Sequence, residues 1–272
     1  AMSWILFDKV TASLDTVHGN LNPLPKGDAM QSKKRTVEKI VEEQVRQWQL
    51  LQREFEVPQT PPPVVTLSRE PGSGGQLVAK KIAETLDMTL FEQEVLHQMA
   101  QNAEMSSRLV ESLDEKGLNV MEEYIAALVH QRHLWPDQYL RHLLKVIGTI
   151  GKHGHAVVIG RGANFVLPPE RALRVRVVAP FSTRAANVAQ QFGVSRHDAE
   201  RRITHTDSNR KSFVRKYFNA DIAAPLNYDV IINTAVVSLD EAAAMVCAGI
   251  RQRWEISGIS PGSTPRANLK AS

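Results

Sequence analysis

The chain has 272 residues, 43% of them hydrophobic and 23% charged, a balance that supports a folded core and excludes a fibrous or wholly disordered protein. Lys and Arg outnumber Asp and Glu by 33 to 29, and the net charge of +4 suits phosphate-like ligands without indicating nucleic acid. The single cysteine, Cys247, excludes an intrachain disulfide framework and a cysteine metal cluster and fits a reducing cytoplasm.

The apolar run near the start, Trp4 to Phe7, is too short for a signal peptide and lacks a basic flank. No stretch approaches the ~20 apolar residues that span a bilayer. The expectation is a cytoplasmic protein without membrane or nucleic-acid partners. Residues 1–33 are mixed and polar, broken by Gly19, Pro23, Pro25 and Gly27. From Lys34 to Phe55, Val37, Val41, Val45, Trp48, Leu51 and Phe55 recur at three- and four-residue steps, predicting an amphipathic helix over 34–55. Its stripe packs on its own domain or, alternatively, forms a homodimer. Pro58 and Pro61 to Pro63 end the helix as a stiff spacer. The chain thus divides into an N-terminal extension at 1–60, a main domain at 61–256 and a Gly-, Ser- and Pro-rich tail at 257–272.

Short apolar runs follow at 64–67, 155–159, 173–179 and 228–232. Helical patterns separate them at 77–86, 93–103, 106–115, 119–133, 137–152, 182–192, 196–218 and 239–254. Buried strands alternating with helices predict an α/β domain with a parallel sheet covered on both faces. Between the first strand and its helix lies Arg69-Glu70-Pro71-Gly72-Ser73-Gly74-Gly75-Gln76. Glycines there let backbone N–H groups of Gly72, Ser73, Gly74, Gly75 and Gln76 curl around an anion at a helix start. A Walker A loop would carry lysine where Gly75 stands, so a plain tight turn is the competing reading.

Ser68-Arg69-Glu70, with the glycines after it and Ala79-Lys80-Lys81-Ile82-Ala83-Glu84, resembles the opening of the cytidylate kinase-like family, a branch of the P-loop kinases with an altered loop. Val158 to Leu167, Asp207 to Phe218 and Tyr228 to Thr234 resemble its later motifs, in order. The resemblance implies a P-loop NTPase fold: three α/β/α layers, a parallel five-stranded sheet and a helical lid. It implies ATP, with Mg2+ carried by the nucleotide, and a CMP-like nucleoside monophosphate as acceptor. Phosphoryl transfer needs cations that hold phosphates in line rather than covalent chemistry.

By this resemblance Arg161 holds the acceptor phosphate, with Asp207, Arg210 and Glu92 as further acceptor residues. Ile203, Asp207, Arg210, Val214 and Tyr217 share one helical stripe, which aims Asp207 and Arg210 at the body of the protein. Arg69, Arg201 and Arg202 are the candidate replacements for the missing lysine at the β- and γ-phosphates, since Lys80 lies a turn into the helix and points away. Two further departures are Thr206, where the family's lid tends to carry arginine, and Glu92, where it usually has aspartate. His130 with His133 and His153 with His155 lack a third ligand at metal spacing, so no protein-held metal is expected. A catalytically impaired regulatory module and a dimerising interaction protein are the alternatives to an active kinase.

Overall fold

The computed structural model describes residues 36–54 and 64–256. The Pro58–Pro63 spacer and the tail from 257 lie outside the described residues, as do residues 1–35. Helix α1 spans Val37–Glu54, followed by strand β1, Val64–Arg69, and α2, Gly75–Leu86. Strand β2 (Thr89–Phe91) leads into α3 (Gln93–Gln101), α4 (Ala103–Val110), α5 (Glu115–Gln131) and α6 (Gln138–His153). Then come β3 (Ala156–Ile159), the single turn α7 (Ala163–Val166), β4 (Ala172–Val178), α8 (Phe181–Phe192) and α9 (Arg196–Phe218). Strand β5 (Val230–Asn233) and α10 (Leu239–Ile256) complete the order.

The five strands form one parallel sheet in the order β2-β3-β1-β4-β5. β1 lies between β3 and β4, with Val65 opposite both Val157 and Leu173. Alternate residues of β1 feed opposite layers, as a period-two strand must. Val64 joins a core with Val158, Leu143, Ile147 and Phe218, under the helical layer that includes α3 to α6. Val65 and Leu67 join Val78, Ile82, Val175, Val246 and Ile250 beneath α2 and α10. A small third cluster, Ala185, Val188, Ala199 and Ile203, binds α8 to α9.

Strand β2 has no counterpart among the sequence-predicted runs. It is three residues at the sheet edge, pairing Leu90 with Val157, and is too short to show periodicity. The boundary between α3 and α4 falls at Asn102, whose side-chain oxygen accepts from the N–H groups of Glu104 and Met105. Asp114 likewise caps α5 through the N–H of Gly117 at 2.7 Å. These caps satisfy orphan helix donors and start α4 and α5 several residues earlier than the hydrophobic pattern predicts.

Helix α1 spends its stripe within the chain. Val41, Gln44 and Trp48 are buried, and the helix packs on α3 and α4. Of the stripe, Val41 and Trp48 are thus spent on the helix's own domain, while Phe55 lies outside the described residues. Trp48 stacks on His153 with ring centroids 3.9 Å apart and planes 8° from parallel. His153 Nε2 also lies 2.8 Å from Ser112 Oγ. Burial pulls the imidazole pKa from 6.5 down to about 4, against a weaker upward pull from Asp114.

The unfolded chain binds a proton at His153 between pH 6.5 and about 4 that the folded chain refuses. The folded pKa of this base is depressed, so stability falls as pH drops through that window, by up to about 3 kcal/mol. Urea unfolding at pH 7 and pH 4.5 should show a larger loss for wild type than for His153→Gln. An equal pH response in both would remove His153 as the cause.

Candidate phosphate-binding site

The loop after β1 is held by its carbonyls. Asn187 Nδ2 donates to the Gly72 carbonyl at 2.8 Å, and Thr234 Oγ1 donates to that of Ser73 at 2.8 Å. The Gly74 carbonyl accepts from Leu77 and Val78 inside α2. A trans peptide points its N–H opposite its C=O, so pinning the carbonyls turns the amides the other way. The Ser73 amide is spent on the Glu70 carbonyl at 3.2 Å. The amides of Gly74, Gly75 and Gln76 have no acceptor among the described residues. They stand at the positive end of a 12-residue helix, which is a ready anion site. Ser73 is thus the correction to the predicted Gly72–Gln76 cradle: it supplies a strut where a donor was expected.

Glycine is required here by space as well as by backbone angle. Gly72 and Gly74 have φ of +79° and +75°. A Cβ on Gly72 would lie 2.5 Å from the Arg184 carbonyl, and one on Gly74 would lie 2.6 Å from Leu239 Cδ2. Gly75 has ordinary helical φ, but a Cβ there would sit 2.5 Å from Arg69 Cβ. The stem of Arg69 occupies the room that a loop lysine would enter.

The second half of the site lies on the β3 side of the loop. Gly160, Arg161 and Gly162 are consecutive left-handed residues, with φ of 73°, 49° and 71°. For arginine this conformation costs roughly 1–2 kcal/mol, and it lies at the carboxyl end of the strand. The Arg161 guanidinium lies 5.2 Å from the centroid of the Phe213 ring on α9. Its Nε is buried with no hydrogen-bond partner among the described residues. From α9, Arg210 Nη1 reaches across to the Arg69 carbonyl at 2.7 Å. Arg69 Nη1 donates to Gln93 Oε1 at 3.1 Å and lies against Gly160. Burial, then the charge of Arg210, lowers the Arg69 pKa to about 9. Burial lowers that of Arg210 as well, with Asp207 opposing.

The structure therefore brings Arg69, Arg161 and Arg210 together. Asp207 turns from the stripe to Arg184, at 2.8 Å, instead of forming the i,i+3 pair with Arg210. Glu92 precedes α3 and accepts from Gln76 Nε2 at 3.1 Å, tying the cradle to the β2–α3 junction. Arg201 and Arg202 do not join this group. Arg201 is 73% exposed and pairs with Asp198, while Arg202 covers the Phe192 ring at 4.9 Å. Lys80 points outward, 3.8 Å from Glu84. His153 and His155 have structural partners, the latter bonding the Asp87 carbonyl at 2.9 Å.

Sequence reasoning missed Glu70, Arg176 and Arg184. The Glu70 carboxylate accepts from the Ala179 amide at 3.2 Å and lies 3.6 Å from Arg176 and 3.3 Å from Arg184. A charged residue inside the buried run Leu173 to Ala179 was the available signal for Arg176. Arg184, on an otherwise ordinary helix, gave none.

A parallel sheet with a glycine loop after its first strand, an amide cradle there and a basic helix laid across the same edge define a P-loop kinase fold. The chain belongs to the cytidylate kinase-like family, whose sequence model matches residues 64–236. It is 29% identical over 189 residues to a cytidylate kinase of Pyrococcus horikoshii, covering 69% of this chain and 88% of that one. It is 26% identical over 175 residues to a cytidylate kinase of Ignicoccus hospitalis, covering 64% and 91%. The solved structure of an uncharacterized protein from Eubacterium ventriosum shares the fold with a TM-score of 0.52 and 21% identity, covering 69% of this chain and 98% of that one.

Alanine in the first turn of a helix ordinarily stabilises relative to glycine by up to about 1 kcal/mol. At Gly75 the overlap with Arg69 should reverse the sign and cost about 1–3 kcal/mol. Thermal unfolding of Gly75→Ala should show a lowered Tm, and a raised Tm would mean that Arg69 moves aside freely.

Proposed function

We propose that this chain transfers the γ-phosphoryl group of ATP to a CMP-like nucleoside monophosphate. The observation that carries this reading is two groups of N–H donors at one edge of the sheet: the amides of Gly74 to Gln76, and the guanidinium groups of Arg161 and Arg210. Such an arrangement can hold two phosphorylated molecules close enough for in-line transfer, and holding is most of what phosphoryl transfer asks of a protein. The amides would take the donor's phosphates. Arg161 would grip the acceptor phosphate with its planar fork, Arg210 would add a second contact, and Asp207 and Glu92 would orient the acceptor's polar groups. Relatives named cytidylate kinase support a nucleotide acceptor.

No group of three or more His, Cys, Asp or Glu among the described residues is placed to hold a metal. Glu70, at the start of the loop, is committed to Arg176 and Arg184, and Glu92 accepts from Gln76. Mg2+ would therefore travel on the nucleotide's own oxygens and water, neutralising phosphate charge. Arg201 and Arg202 face away from the Arg161 group, so they would act on the transferred phosphate only after closure of α9. The loop's lack of a lysine favours a second reading, a nucleotide-binding regulatory module that retains the fold.

Assays of ADP release with CMP, UMP, AMP and dCMP test the proposal. Turnover is expected with CMP, and Arg161→Ala should cost about 10²–10³ in rate, by the yardstick of one lost transition-state donor. ATP binding without turnover on any acceptor would establish the regulatory module instead.

A further inference from the structure

Arg69 does not stand where a lysine substitute at the triphosphate is needed. Its stem passes beside Gly75, and its guanidinium ends between Gln93 and Gly160, next to Arg161. We propose that Arg69 is a third arm of the acceptor-phosphate site, beside Arg161 and Arg210, and not a contact of the triphosphate. This rests on the kinase reading above and adds one residue to its acceptor site.

The contrast with neighbouring arginines carries the inference. Arg174, Arg176 and Arg184 each have a carboxylate partner, at 2.6 Å from Asp229, 3.6 Å from Glu70 and 2.8 Å from Asp207. Arg69, Arg161 and Arg210 have no such ion pair among the described residues. Arg69 has a neutral amide oxygen, Arg210 a backbone carbonyl, and Arg161 a phenyl ring with its Nε unpartnered. Glu94 and Glu92 at the start of α3 act on Arg69, and Asp207 and Glu94 on Arg210, only beyond ion-pair distance, and the arginines' mutual charges oppose them. Partly buried guanidinium groups crowded without a carboxylate in contact are costly to maintain, and an arriving anion relieves that cost. A carboxylate would bring one negative charge. A phosphomonoester brings two, with three oxygens that match guanidinium forks.

The same geometry explains the loop. Arg69 can reach this position because residue 75 lacks a side chain. Loss of the loop lysine and gain of an acceptor arm are then one change of packing.

Calorimetric titration of the full chain with CMP, cytidine and a non-hydrolysable ATP analogue tests this, on wild type, Arg69→Gln, Arg69→Lys and Gly75→Ala. Losing one charge-assisted contact should weaken CMP binding by roughly ten- to a hundred-fold in Arg69→Gln. Binding of cytidine and of the ATP analogue should be unchanged. Arg69→Lys, which keeps the charge, should lose less, and Gly75→Ala, which displaces the Arg69 stem, should weaken CMP binding as well. Equal weakening of the ATP analogue would overturn the proposal and assign Arg69 to the triphosphate. Unchanged CMP affinity in Arg69→Gln would make Arg69 a brace for the loop. If wild type ignores CMP but binds glucose 6-phosphate, and Arg69→Gln loses it, Arg69 keeps its role and the nucleotide reading fails. If no phosphomonoester binds wild type, both readings fall.

Discussion

The carboxyl edge of the sheet is organised around one carboxylate, that of Glu70. It takes the Ala179 amide, which fixes the exit of β4, and faces two buried guanidiniums, Arg176 from the strand and Arg184 from α8. Arg184 continues to Asp207 on α9 and to the Ala179 carbonyl, while its own backbone carbonyl packs where a Gly72 side chain would be. Phosphate loop, central strand and basic helix are thereby held in one charged chain. A partner taken out of such a buried network leaves an uncompensated charge, which is worth several kcal/mol and spoils geometry as well as stability.

The glycine-rich loop is braced by hydrogen bonds from the protein itself. Asn187 and Thr234 come from two other elements to hold its carbonyls. An amide cradle assembled in advance need not be ordered when an anion arrives, so less of the binding energy is lost to entropy. The Gly160-Arg161-Gly162 turn is also fixed by the protein, with strained backbone held in place by close packing of Gly162 against the Phe218 ring.

The fold was legible where hydrophobic runs were long. β1, β3, β4 and β5 and the long helices followed from alternating apolar segments, and the stripe on α9 correctly turned Asp207 and Arg210 inward. The edge strand β2 was hidden because three residues carry no period. The starts of α4 and α5 were hidden because Asn102 and Asp114 set them by capping rather than by hydrophobicity. At the site, residue type and order pointed to the glycine loop and to Arg161. The directions of long side chains were not readable. Arg69 at the mouth of the loop is expected from the sequence at the β- and γ-phosphates, but its packing against Gly75 sends its guanidinium toward Gly160. Arg201 and Arg202 lie off the stripe that carries Arg210, and their partners, Asp198 and the Phe192 ring, were not readable from it.

The family match ends at residue 236, but the packed core does not. Ala242, Val246, Cys247 and Ile250 of α10 lie under the sheet with Val65 and Leu67. Val41 and Trp48 of α1 seal the opposite layer from before the match begins. Evolutionary resemblance and cooperative unit therefore have different borders in this chain. A fragment cut to the matched segment, 64–236, would carry every proposed ligand contact of the loop and the arginine group, yet bare apolar surface on both sides. Its failure to bind nucleotides would report on aggregation, not on chemistry.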